Sequence, residues 1–248
     1  METHELTKLT SDAFGKVSEQ ITYYLDLKKG VLENQYVEAL SDTFKIVGFV
    51  RNTTSIIMQK RFESFLKGFV PENEITEKQM EKLAEYINDE AKAEFIADTF
   101  SKIMLAQSSK ACFVMGTMLQ TMVNNKSNLT HNELICIHAL SNFFDIDIIN
   151  FSFIHDYIQQ KGKRKYANLN TRQFKIEIQH KSLNMASVYL TIDKAVTYQL
   201  LRTYNEVELD IDEDDPSISS SADVEEKTKV TEPGLLLYQF IHRSGIVS

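Results

Sequence analysis

The chain has 248 residues, 43% hydrophobic and 25% charged, with a formal net charge of −8; these values exclude a wholly disordered polypeptide and allow one large domain or two small ones. Only 8 glycines and 3 prolines are present, so few tight turns are made and no Gly-rich loop is available to wrap a phosphate. No stretch is long and apolar enough to span a membrane, and the N-terminal METHELTKLTSDAF has neither the basic nor the apolar region of a signal peptide, which predicts a cytoplasmic protein.

Apolar residues from Leu6 to Leu27 recur at near-helical spacing and predict a peripheral amphipathic helix ended by Gly30. From Val31 to Phe69 the pattern predicts one long helix or two in series. Gly48 and Asn52 to Ser55 mark the bend, and Gly68 with Pro71 closes the element. Its apolar positions extend past one face, which makes residues 31–69 the candidate surface for a homodimer. Thr76 to Met104 keeps helical period, with Glu and Lys at i, i+4 spacing on a solvated face.

Lys110 to Phe153 is the stretch the rest is organised around. Ala111 to Val123 is apolar almost all round, as in a helix enclosed by others, and a turn follows at Asn124 to Asn128. Thr130 and Glu133 have the spacing of a capping box, opening a second helix whose stripe is Leu134, Ile135, Ile137, His138, Leu140 and Ser141. Asp145 and Asp147 are read as caps of a further helix beginning near residue 147.

Beyond Gln160 the composition shifts. Lys161, Lys163, Arg164 and Lys165 around Gly162 mark a loop and a domain boundary, giving a helical body over 1–160 and a second domain over 161–248. Gln173 to Gln179 alternates and predicts a short strand; Ser182 to Leu190 and Asp193 to Tyr204 predict two helices. Glu206 to Asp212 alternates again, Thr228 to Val230 is placed to return beside it, and Thr231 caps a last helix with Pro233 in its first turn. The order over 146–231 is helix, strand, helix, helix, strand, strand, that of a winged helix. Reading Val188, Leu190 and Ile192 as a strand gives instead a small α+β domain. The fold expected is therefore mainly α: a multi-helix N-terminal body, then a winged-helix-like C-terminal part with a small β wing.

Charge is unevenly distributed. Residues 160–203 carry nine basic side chains against Glu177 and Asp193, whereas residues 205–226 carry ten acids and no base. Lys161, Lys163, Arg164, Lys165, Arg172, Lys194 and Arg202 are the candidate residues for contacting nucleic acid or another partner. Asp212, Glu213, Asp214, Asp215, Asp223, Glu225 and Glu226 form a candidate acidic interaction loop, 212–226, expected to be disordered at the wing tip. Three readings stay open: solvated charge, a nucleic-acid surface gated by the acidic loop, and a protein-interaction module.

No P-loop, dinucleotide fingerprint, HExxH, nucleophile elbow or kinase signature is present. Cys112 and Cys136 lie on apolar helix faces and predict buried, reduced thiols; the six histidines lack metal-ligand spacing, so neither a metal nor a cofactor is expected. A site assembled from distant residues, such as Glu90, Glu94 and Asp98 with His138, remains the enzymatic alternative.

KRFESFLKGF at 60–69, NLTHNELICIHAL at 128–140 and KTKVTEPGLLLYQFI at 227–241 together resemble the Abi-alpha type of abortive-infection proteins of bacteria and their mobile elements. The resemblance implies a helical body before a winged-helix-like end, and a part in phage defence or its control; the acidic insert departs from that plan. The functional expectation is a non-enzymatic bacterial or phage-encoded defence or regulatory protein that binds a macromolecule. A protein is the first partner expected, with DNA or RNA as the alternative and no membrane.

Overall fold

The computed structural model describes residues 56–69, 86, 90–160, 166–209 and 222–247. The helices expected over 5–28 and 31–55, the start of the one expected from Thr76, and the loop residues Lys161 to Lys165 and Asp212 to Asp215 lie outside them. Their elements are α1 (Ile56–Phe69), α2 (Glu90–Leu105), α3 (Ser109–Asn125), α4 (His131–Asn142), α5 (Asp145–Gln159), β1 (Tyr166–Ala167), α6 (Arg172–His180), α7 (Met185–Thr197), β2 (Leu201–Leu209), β3 (Ala222–Val230) and α8 (Glu232–Ser244). The described residues are mainly helical with a small three-stranded antiparallel sheet. The described residues fall into two compact units, one formed by those before Ile146 with those from Phe240 on, the other by Ile146–Gln239.

In the first unit α3 is enclosed as its composition requires, with Ala111, Cys112, Val114, Met115, Met118, Leu119, Met122 and Val123 all buried. Ser108 caps its start, accepting a bond from the Ala111 amide, and Lys126 ends it in the left-handed conformation with its amide donating to the Met122 and Val123 carbonyls. Helix α1 crosses α3 with backbone against backbone. Gly68 faces the Phe113 carbonyl and the Thr117 amide, and Gly116 faces Phe65 and Phe69 of α1. Gly68 thus does not close its helix by conformation; it lies inside α1 and lets the two backbones meet, while Phe65 and Phe69 stack over the crossing with centroids 6.0 Å apart.

The capping box forms as expected: the Thr130 amide donates to Glu133 Oε2 at 2.9 Å and the Thr130 side chain accepts from the first turn of α4. The buried side of α4 is turned from the expected stripe. Cys136, Ile137, Ala139, Leu140 and Ser141 are covered, whereas Leu134 and His138 are exposed. Helix α5 starts two residues earlier than expected, because Asp145 anchors its first turn by accepting from the Ser108 hydroxyl and the Lys110 amide.

The second unit begins inside α5, so the boundary expected at 160/161 falls within it. Phe153 and Tyr157 of α5 pack on Phe174 of α6, with centroids 5.6 and 4.7 Å apart, and this shared core ties the helix to the residues that follow. The segment 173–179, expected as a strand, is α6. Thr171 accepts from the Phe174 amide as its N-cap, and Phe174 and Ile178, four apart, are its buried pair. A seven-residue alternation contains that same i, i+4 pair, so period alone did not separate helix from strand. In place of the two helices expected at 182–190 and 193–204 there is one, α7, capped by Asn184 and ending at Thr197, and Leu201 to Tyr204 belong to β2; Val188, Ile192 and Ala195 face inward and Leu190 outward, which removes the α+β alternative built on a strand there.

The strand of this region is instead β1, two residues long, and the sheet order is β1-β3-β2. β2 and β3 pair over their whole length, from Leu201 opposite Val230 to Leu209 opposite Ala222. Asp223, Glu225 and Glu226 therefore belong to a strand rather than to a disordered loop. The base of the hairpin is buried through Leu201 and Thr228, with Thr203 and Thr228 hydroxyls 3.3 Å apart. Thr231 caps α8 as expected, accepting from the Gly234 amide while its own hydroxyl donates back to Gln199 and Leu200 carbonyls; Gly234 is needed because a side chain there would strike the Leu200 carbonyl.

Candidate partner-binding site

Helix α7 and the β2–β3 hairpin are the exposed elements of the second unit that the charge pattern singles out. The inward side of α7 carries a buried polar network with α5. Asp147, 4% exposed, accepts from Lys194 Nζ at 2.6 Å and from the Thr191 hydroxyl at 2.7 Å, and Asn150 donates to Ser187 and Thr191. A buried carboxylate needs such partners because its desolvation is otherwise uncompensated. Lys194, a candidate for partner contact, is thereby committed to Asp147. The outward positions of α7 are Ala186, Leu190, Asp193 and Thr197, with Leu190 62% exposed.

Of the other basic candidates, Arg172 is exposed at the start of α6, and Arg202 is exposed on β2 opposite the exposed Lys229. Lys161, Lys163, Arg164 and Lys165 lie outside the described residues. The structure thus places Arg202 beside Lys229, a neighbour that the sequence pattern had not supplied, while Lys194 is paired with Asp147.

Further along the hairpin the charge reverses. Glu206 stands opposite Glu225 and Asn205 opposite Glu226 in the register. Like charges directly across a sheet repel. Lys227 offsets this: its side chain is 8% exposed, contacts Glu206, lies 3.4 Å from Glu225, and sits 4.7 Å from the centroid of the Tyr166 ring, itself edge-on to Tyr204. One ammonium therefore serves two carboxylates. On the other side of the hairpin Val207 and Val224, paired in register, are 53% and 56% exposed. A groove runs beside β1 and the start of α6, lined by Tyr157, Tyr166, Asn168, Thr171, Gln173 and Glu225.

Elsewhere in this unit His155 is buried, stacks on Tyr238 with centroids 3.5 Å apart, and bonds Asp156 at 3.2 Å. Burial lowers its pKa from 6.5, opposed by Asp156. The hydrogen bond to Asp156, with burial, pushes the Tyr238 hydroxyl up to about 12. In the first unit burial pushes the Cys112 thiol up to about 12, the inert condition expected of it, and Cys136 is likewise buried and free of a disulfide. Among the described residues no three His, Cys, Asp or Glu side chains come together as metal ligands; Asp98, one member of the distant set considered from sequence, pairs with Lys102.

Comparison of the chain with known protein families, curated proteins and solved structures finds no match. No helix among the described residues is long and apolar enough to cross a membrane.

Proposed function

We propose that the chain is a non-enzymatic binding protein whose Ile146–Gln239 unit is a winged helix adapted to recognise a protein. The element order α5-β1-α6-α7-β2-β3 and the sheet order β1-β3-β2 support the winged-helix reading, with α7 in the position of the recognition helix and β2–β3 as the wing. The observation that carries the choice of partner is the outward side of α7. A helix that meets phosphates presents cations, since counterion release supplies most of the affinity. Here the outward positions are Ala186, Leu190, Asp193 and Thr197, and Lys194 is held by Asp147. The resemblance to Abi-alpha proteins supplies the setting, bacterial or phage-encoded defence or its regulation.

A second reading, a nucleic-acid-binding regulator gated by its acidic loop, draws on the exposed Arg172, Arg202 and Lys229. Fluorescence-anisotropy titration of the full chain with random duplex DNA and RNA at two salt concentrations separates the two. The protein-recognition reading expects no salt-steep association at micromolar protein. Micromolar binding that falls steeply with salt and is lost in a Arg172→Ala, Arg202→Ala double variant would replace it with the regulator.

A further inference from the structure

Strand β3 is nine residues long, yet β1 pairs with it only at Thr228 and Lys229. After Ala167 the chain turns away through Asn168 to Thr171, with Asn170 donating to Glu226 at 3.1 Å, and enters α6. Among the described residues the edge of β3 from Ala222 to Glu225 thus has no strand beside it. In an antiparallel ladder every second residue of such an edge presents its N–H and C=O outward, ready to pair with another strand.

The side chains around that edge differ by face. On one face Glu225, with its side chain 53% exposed, borders the groove with the Tyr157 and Tyr166 rings, and it shares Lys227 with Glu206. Since Lys227 contacts Glu206 and stands 3.4 Å from Glu225, the pair retains capacity for a second cation. On the other face Val207 and Val224 form an exposed apolar pair. Side chains of a strand alternate between faces, so a segment laid along this edge would set one residue against the carboxylates and the next against the valines.

We propose that the open edge of β3 from Ala222 to Glu225 docks, by strand addition, an extended segment of a partner protein in which basic and apolar residues alternate. The basic residue pairs with Glu225 at the mouth of the tyrosine-lined groove, and the apolar residue packs on Val224 and extends the apolar strip that Val224 forms with Val207. Main-chain pairing supplies the affinity and the two faces supply the selection. Charge complementarity and the match of period are what commit the occupant. A helical partner lacks the period and an acidic one the charge. The proposal rests on the protein-recognition reading given above and names the partner's chemistry.

The test is fluorescence polarisation of the full chain with three labelled short peptides: one alternating Lys with Val, one in which Pro replaces every second valine so that the charge is kept and strand pairing is blocked, and one alternating Glu with Val. The expected result is micromolar binding of the first peptide alone. Affinity should fall about threefold in Glu225→Gln and about tenfold or more in Glu225→Lys, with circular dichroism unchanged. Equal binding of the Pro-containing peptide would reduce the contact to unspecific charge and overturn strand addition. Absence of binding by any peptide to the folded protein would overturn the proposal as well. Salt-steep binding of duplex DNA in the parallel titration would instead overturn the protein-recognition reading, so the two failures are read by separate measurements.

Discussion

Replacing Gly116 by alanine is the most direct perturbation of the first unit. In an ordinary helix interior the change stabilises by about 0.5–1 kcal/mol, because alanine loses less conformational freedom. At Gly116 the added methyl would overlap the Phe65 carbonyl oxygen and stand 2.7 Å from the Phe69 amide nitrogen and 3.0 Å from the Gly68 carbonyl carbon. All three are backbone atoms of α1, so no side-chain rotation relieves the clash. Helix α1 must retreat from α3, which loosens Phe65, Phe69 and Met115 in the core between them. Overpacking a dense core costs about 1–3 kcal/mol, and more where backbone must move. The net expectation is a loss of roughly 2 kcal/mol, which lowers Tm by roughly 4–8 °C for a chain of this length. Thermal unfolding followed by far-UV circular dichroism measures it. Gly68→Ala, which would strike the Phe113 carbonyl, should cost a similar amount, and the double variant should cost less than the sum because the first substitution has already opened the crossing. A Gly116→Ala protein as stable as the parent or more so would refute backbone-to-backbone packing of α1 on α3.

Three further outcomes follow from the described geometry. Lys194→Met takes the ammonium away from the buried Asp147 carboxylate; since Lys194 is 30% exposed, the expected loss is about 1–3 kcal/mol by urea unfolding, and adding Asp147→Asn should recover part of it. His155 has a folded-state pKa below its unfolded value of 6.5, so between those values the unfolded chain binds more protons. Stability should therefore be undiminished above 6.5 and decline as pH falls from 6.5 towards the folded pKa. His155→Phe, which keeps a ring against Tyr238, should flatten that decline in urea midpoints measured across the window. Cys112, raised to about 12 by burial, should resist alkylation in the native protein at mildly alkaline pH and react once denaturant is added; mass spectrometry locating rapid native modification at Cys112 would contradict its enclosure.

Local signals in the chain carried the helical character, the enclosure of Ala111 to Val123, the Thr130–Glu133 capping box and the Thr231 cap of the last helix. Each depends on residues within one or two turns of one another, so spacing alone is enough. Segments where two periods coincide were decided by tertiary contact: Phe174 and Ile178 fit a strand or a helix in isolation, and the Thr171 cap with packing on Phe153 and Tyr157 selects the helix. The site shows the same division. The uneven charge of residues 160–226 is written in composition, but its meaning depends on partners far apart in the chain. Lys194 appears as a free cation in the sequence until Asp147, 47 residues earlier, takes it up. Glu206 and Glu225 appear as two acids among ten until the register sets them opposite one another around Lys227. Spacing along the chain reports local hydrogen bonding and amphipathic faces; desolvation, cross-strand pairing and the availability of a charge are properties of groups brought together in space, and only the tertiary structure decides them.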